Sequence, residues 1–149
     1  MIVLICGLPG SGKTWLAERL CKGHPDLVHL NADRIREAVQ DWDFSDEARM
    51  KQAIRMRGLS FCEAMFGAVA IADFVCPTPI TRKLFHADYT IFIDTLHISS
   101  YNDTNKIFVK PENVDFTVEK QINDNAVDLI RKRILNARQI RKYNFRKPT

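Results

Sequence analysis

The sequence predicts an α/β fold, a three-layer αβα sandwich on a mainly parallel five-stranded sheet. Short apolar runs rich in Ile and Val recur along the chain and suit strands buried on both faces of a parallel sheet. Segments with helical spacing separate those runs, as βαβ units require. The first run, Met1 to Cys6, opens directly into a glycine-rich loop and then a helix.

The first strand ends at Gly7, and Thr14 to Lys22 follows as a helix, with Trp15, Leu16, Ala17, Leu20 and Cys21 at helical spacing and a stop at Gly23-His24-Pro25. Leu27 to Leu30 reads as a second strand and Asp33 to Gln40 as a turn or two of helix. Ser45, with Asp46 and Glu47 in the first turn, starts a longer helix that runs to about Phe66. Val69 to Val75 is the third strand, closed by Pro77 and Pro79; Thr81 to His86 is a short helix and Tyr89 to Asp94 the fourth strand. His97 to Asn113 shows no clear period, and Val114 to Val118 alternates as a fifth strand. Asn123 to Tyr143 is a terminal helix with Val127, Ile130, Ile134, Leu135 and Ile140 along one face.

At 149 residues and 46% hydrophobic content the chain has the size of one domain, spanning 1–149, that buries roughly 70% of its unfolded surface. No run approaches the roughly 18 apolar residues of a membrane span, and Met1 to Cys6 has no basic leader or cleavage site, which predicts a cytoplasmic protein. Cys6, Cys21, Cys62 and Cys76 form no C-x-x-C pair, so neither a disulfide framework nor a zinc site is expected. The net charge of +4 comes from the C-terminal helix and tail, 123–149. Arg131 to Lys147 holds eight of the 22 basic residues and no acid, leaving 14 against 18. A solvated face is the favoured reading of that segment over a nucleic-acid contact.

Gly7-Leu8-Pro9-Gly10-Ser11-Gly12-Lys13-Thr14 satisfies G-x-x-x-x-G-K-[ST] between a strand and a helix, the phosphate loop of P-loop NTPases. Its backbone N–H groups and the following helix N-terminus would cradle the phosphates of ATP. Lys13 would reach the β- and γ-phosphates and Thr14 would join a Mg²⁺ shell. Asp73, in the third strand, is a second candidate near the metal, although alternation could equally aim it at a basic neighbour. The loop fixes nucleotide binding but not the reaction. The short chain without a second nucleotide-recognition motif argues against a switch or a motor.

Beyond the loop, Asn31-Ala32-Asp33-Arg34-Ile35-Arg36 places an acid at the end of the second strand and an arginine three residues on, on one helical face. That strand end opens onto the ligand crevice of a doubly wound sheet. Asp33 could accept a hydrogen bond from an attacking hydroxyl while Arg36 holds an anionic group; equally, Asp33 could be a helix N-cap and Arg36 a surface charge. Asp94 reads as a strand-end cap, and His86 and His97 as structural or surface residues.

Together with Phe44-Ser45, Arg49, Ile54-Arg55 and Cys76-Pro77, this segment resembles the adenylylsulfate kinase family, over about residues 1–95 in order and near-correct spacing. The family's own pattern there is L-D-G-D-N-V-R, then F-S, an arginine, I-R-R and a strand ending in S-P. The resemblance implies phosphorylation of the 3′-hydroxyl of adenosine 5′-phosphosulfate in sulfate assimilation. It makes Asp33 the residue on the acceptor hydroxyl, Arg36 and Arg55 the anchors of the phosphosulfate, and Phe44 the residue stacked on the adenine. Arg49, Cys76 and Pro77 fall in the same acceptor set, with Lys106 and Phe108 as weaker lid counterparts. The departures are Ala53 for the family's asparagine, Cys76 for its serine, and a shorter lid, Leu96 to Pro111. An amide and a hydroxyl are thereby lost from the acceptor pocket, so the acceptor itself is open to change. The alternatives are a kinase of polynucleotide 5′-hydroxyl ends, its backbone tracked by the basic tail, and a non-catalytic ATP-binding module. The partners expected are a small nucleotide acceptor and no membrane, with a homodimer left open.

Overall fold

The structure, a computed structural model, describes residues 1–145, with side chains through Arg141; Arg146 to Thr149 of the basic tail lie outside the described residues. Five strands form one sheet in the order β2-β3-β1-β4-β5: β1 (Ile2–Gly7), β2 (Leu27–Asn31), β3 (Val69–Asp73), β4 (Tyr89–Ile93) and β5 (Phe116–Val118). Every pairing is parallel, so the sheet is parallel throughout and not merely in the main.

Among the described residues six helices connect and cover the strands: α1 (Lys13–Cys21), α2 (Ala32–Ala38), α3 (Asp46–Met65), α4 (Pro79–Phe85), α5 (Asn102–Ile107) and α6 (Asp124–Phe145). The period of two along β1 sorts the core into two layers. Val3 and Ile5 face Leu16 and Leu20 of α1 and Ile130 and Ile134 of α6. Ile2, Leu4 and Cys6 face Met56 of α3 and Phe85 of α4. These residues are at most 2% exposed, the close burial expected of strands covered on both faces.

Local chemistry sets the helix ends. Ser45 caps α3 by accepting from the Ala48 amide, and Thr78 caps α4 in a reciprocal box with Thr81, with Pro79 at its first position. That box starts α4 two residues before the predicted Thr81. The segment expected to lack a period contains α5, six residues too few to show one. The predicted apolar face of α6 holds for Val127, Ile130 and Ile134, but Ile140 is exposed. Three arginines of α6 are bonded within the chain, while Lys132 and Arg133 are exposed. Arg131 donates to the carbonyls of Leu20 (3.0 Å) and Arg19 (2.6 Å), Arg138 to the Gly67 carbonyl and Asp26, and Arg141 pairs with Asp88. Among the described residues no helix is long and apolar enough to cross a membrane.

Candidate active site

The strand order reverses around β1, where the connection from β1 crosses to β2 and that from β3 returns to β4. Ligands of open parallel sheets bind outside the carboxyl ends of the strands at such a point. The glycine-rich loop follows β1 there, and Asp73 ends the adjacent β3. Gly7 has φ 153°, and a Cβ on it would lie 2.5 Å from the Ile93 carbonyl oxygen of β4. Only glycine lets the loop leave the sheet so closely. Gly7→Ala is therefore expected to cost about 1–3 kcal/mol, read as a lower urea midpoint with unchanged slope. Gly12, at φ 97°, takes the left-handed turn that starts α1. Thr95, just past β4, pins the loop by donating to the Ser11 carbonyl at 2.8 Å.

Lys13 is 8% exposed, and its Nζ donates to the Leu8 carbonyl at 2.8 Å. Burial pulls its pKa down from 10.5 to about 8, against the opposing pull of Asp73 and Asp33. The sign of the consequence follows. Above about pH 8 the free lysine is neutral, whereas phosphates favour its charged form, so binding of ATP takes up a proton there. ATP affinity should hold below pH 8 and fall above it, with proton uptake visible by calorimetry in buffers of different ionisation enthalpy. A Lys13→Met variant should lack that fall.

Around Asp73 the strand register builds a polar cluster. Asn31 is paired with Asp73 and His29 with Ile71, and the period of two turns His29, Asn31 and Asp73 to the α1 side. The Asp73 carboxylate, 2% exposed, accepts from the Thr14 hydroxyl at 2.6 Å and from the Asn31 amide at 3.1 and 3.2 Å, and lies 2.8 Å from His29 Nε2. Burial alone would raise its pKa, but the hydrogen bonds from His29, Thr14 and Asn31 outweigh that and hold the carboxyl below the usual range. A hydroxyl and a carboxylate 2.6 Å apart are hard oxygen donors of the kind that hold Mg²⁺ beside a nucleotide, directly or through water. Among the described residues no group of three or more His, Cys, Asp and Glu forms a metal cage. An ion at this position would therefore depend on phosphate and water for its other ligands.

A cavity of about 770 Å³ extends from Lys13, Thr14 and Asp73 to Asp33, Trp42, Phe44, Arg49, Tyr101 and Asp103. Asn31 is the N-cap of α2, its Oδ1 accepting from the Arg34 amide at 2.9 Å. Asp33 is thus relieved of capping and presents an exposed carboxylate to the cavity.

The predicted arginines are already engaged. Arg36, 5% exposed, is no surface charge: Nη1 donates to the carbonyls of Asp41 and Asp43, each at 2.9 Å. Arg55 donates to the Asp41 carboxylate at 2.7 Å and to the Gln52 side chain. Arg49 donates from Nε to the Phe44 carbonyl and from Nη2 to the Asp103 carboxylate, each at 2.8 Å. Cys76 and Pro77 line a recess of about 60 Å³ that shares Asp33, Phe44 and Arg49 with the larger cavity. Buried Cys76 takes φ 46°, and its carbonyl accepts from Arg82 at 2.9 Å.

Two predicted lid residues are not brought to either cavity. Phe108 stacks on Phe92 with centroids 6.2 Å apart, beside the core layer under α3 and α4, and Lys106 is exposed. From the same segment Tyr101, Asp103 and Thr104 line the larger cavity instead. Asp94 pairs with Lys110 at 2.6 Å. His29, Trp42, Tyr101 and Asp103 carried no motif signal. The exposed aromatics Trp42 and Tyr101 were legible only as turn or loop residues.

Comparison with known proteins bears on the fold and on the family resemblance. A family model described as an AAA domain matches residues 2–72. A probable adenylyl-sulfate kinase from Aeropyrum pernix is 30% identical over 93 residues, covering 56% of this chain and 49% of the relative. The chain thus matches about half the length of that curated relative. The structure of the Mycobacterium tuberculosis APS kinase with AMPPNP and APS superposes with a TM-score of 0.74 at 18% identity, over 93% of this chain and 96% of the other. Shikimate kinase from Acinetobacter baumannii, in complex with shikimate, superposes with a TM-score of 0.57 at 17% identity, over 98% and 95%. The resemblance to adenylyl-sulfate kinases therefore appears in sequence as well as in architecture, and the fold is that of P-loop kinases.

Proposed function

We propose that this chain is an ATP-dependent phosphotransferase that moves the γ-phosphate onto a hydroxyl of a small nucleotide-like acceptor. One observation carries the reading: the phosphate-loop residues Lys13 and Thr14 and the exposed carboxylate of Asp33 line a single cavity. A nucleotide-binding module that transfers nothing needs the first two and not the third. Adenosine 5′-phosphosulfate, which the M. tuberculosis structure contains, is the acceptor to which the similarity points.

The chemistry follows from charge. Phosphoryl transfer asks the protein mainly to hold reactants in line and to neutralise phosphate charge. In this reading the loop amides and Lys13 bind the β- and γ-phosphates, while Thr14 and Asp73 hold Mg²⁺, which supplies further neutralisation when bound. Asn31 and His29 fix the direction of the Asp73 carboxylate. Asp33 orients the acceptor hydroxyl and takes its proton, so the O–H bond breaks as the new P–O bond forms and ADP leaves. Such a reaction suits the cytoplasm, where thiols like those of Cys6 and Cys76 stay reduced.

The test is ADP release with ATP and Mg²⁺ against adenosine 5′-phosphosulfate, nucleosides and 5′-hydroxyl oligonucleotides. At least one small acceptor is expected to raise release well above the acceptor-free rate and to appear phosphorylated by mass spectrometry. Stimulation by oligonucleotides alone would favour the polynucleotide reading, and no stimulation by any compound would refute the kinase reading.

A further inference from the structure

One side of α3 is packed against the core, with Gln52, Ala53, Met56 and Ser60 buried. On the opposite side Lys51, Ile54, Gly58, Phe61, Cys62 and Met65 recur at helical spacing and form a single stripe. All six are exposed, Ile54 by 56%, Phe61 by 50% and Met65 by 70%, and Phe66 at the C-cap continues the apolar surface at 91%. None of these four apolar residues belongs to either core layer. A surface helix ordinarily turns charged residues to water. Here the outward stripe holds one charge, Lys51.

Gly58 is a second, independent observation. A Cβ placed on it would meet no atom within 4 Å, so the packing of this chain does not call for glycine there. Glycine in a helix interior is less stable than alanine. Its effect on the stripe is a hollow beside the ring of Phe61. Arg57, at the edge of that hollow, is engaged elsewhere: Nη1 donates to the His86 carbonyl at the end of α4 at 2.7 Å, and its guanidinium lies 5.9 Å from the Phe61 ring centroid.

One face thus holds both a projecting ring and a hollow, which is what a surface that pairs with itself requires. In an antiparallel pairing, Phe61 of one copy enters the hole between Ile54, Arg57, Gly58 and Phe61 of the other, the positions i, i+3, i+4 and i+7 that form such holes. Charge selects the same direction. Antiparallel helices centred near residue 59 hold the two Lys51 side chains on the order of 25 Å apart along the axis, well beyond the screening length, whereas parallel helices would set them side by side. The area also fits. With each phenylalanine taken as roughly 200 Å², the apolar surface of Ile54, Leu59, Phe61, Met65 and Phe66 left in water is on the order of 500 Å². A standard interface buries about 800 Å² on each partner, and about 65% of it is apolar in homodimers.

We propose that this chain forms a homodimer through the outer face of α3, antiparallel across a twofold axis, with Phe61 of each copy against Gly58 of the other. The inference does not rest on the kinase reading. Arg49, the residue of α3 that lines the larger cavity, has its side chain 9% exposed on the inner side of the helix.

Sedimentation equilibrium of the full chain over about a hundredfold range of micromolar concentration tests it. Twice the chain mass is expected at the upper end. Phe61→Glu and Gly58→Leu should each weaken association at least about tenfold, the first by placing a charge in the interface and the second by filling the hollow. Neither should lower the melting temperature of the dilute, monomeric protein appreciably, since both positions face water there. Cys62 should react with a maleimide more slowly in concentrated than in dilute protein, and equally fast at both concentrations in Phe61→Glu, as read by peptide mass. A chain that stays monomeric throughout would overturn the proposal and leave the face to a partner of another sequence. A dimer whose association neither substitution moves would overturn it as well, and so would Cys62 equally reactive in monomer and dimer.

Discussion

Lys13→Ala is expected to lower phosphoryl transfer by at least about 10²- to 10³-fold, to the level of the acceptor-free background. The ammonium sits under the loop, 2.8 Å from the Leu8 carbonyl and 8% exposed, so no neighbouring cation can replace it without rebuilding the turn. Its charge is needed most as the γ-phosphoryl group separates from ADP, when negative charge gathers on the leaving oxygens. ATP affinity should fall as well, because the same charge meets the phosphates before the reaction. The lysine is costly to the free protein, since burial has pulled its pKa down to about 8. The alanine variant is therefore expected to be at least as resistant to heat at pH 7 as the original. Rates followed by product formation, with melting followed by circular dichroism, check both halves. Unchanged turnover would refute the phosphate-loop role, and a collapsed fold would mean that the residue is structural.

Asp33→Asn is expected to lower kcat by about 10² to 10⁴ with the stimulating acceptor, the range that positioned general-base groups contribute. The amide keeps the size of the carboxylate but cannot take the acceptor proton, and it orients a hydroxyl less firmly. ATP affinity should change little, because the phosphate loop is untouched. Stability should change little too, since Asn31 and not Asp33 caps α2. Pre-steady-state product formation distinguishes a slower chemical step from slower release. Wild-type kcat in this variant would leave Asp33 a bystander on the cavity wall and remove the basis for placing the acceptor hydroxyl there.

The resemblance read from the sequence pointed to three arginines as anion anchors, but what each guanidinium meets in the folded chain was not legible there. A guanidinium's role depends on what lies opposite its five donors. Asp41 lies 14 residues from Arg55, and Asp103 lies 54 residues from Arg49. Neither pairing leaves a trace in local spacing. Phe108 shows the same limit: a phenylalanine in a polar stretch reads alike whether it closes on a ligand or, as here, stacks on Phe92.

By itself the sequence determined the strands, the phosphate loop and the acid after β2. Each is written in a local code: continuous β-branched runs, glycines where the backbone must take positive φ or approach closely, and a strand end followed within two residues by a helix. Such signals need only neighbours along the chain. Only the tertiary structure decided that Asp73 faces Thr14, because that depends on the parallel register that sets Asn31 beside Asp73 and His29 beside Ile71. A shift of one residue in that pairing would turn His29 and Asn31 to the opposite face and dissolve the cluster. Only the tertiary structure, likewise, brought Trp42 and Tyr101, far apart in sequence and unremarkable in their own segments, to the rim of one cavity. Contacts across the sheet and between loops are fixed by the packing of the whole core, which no window of the sequence contains.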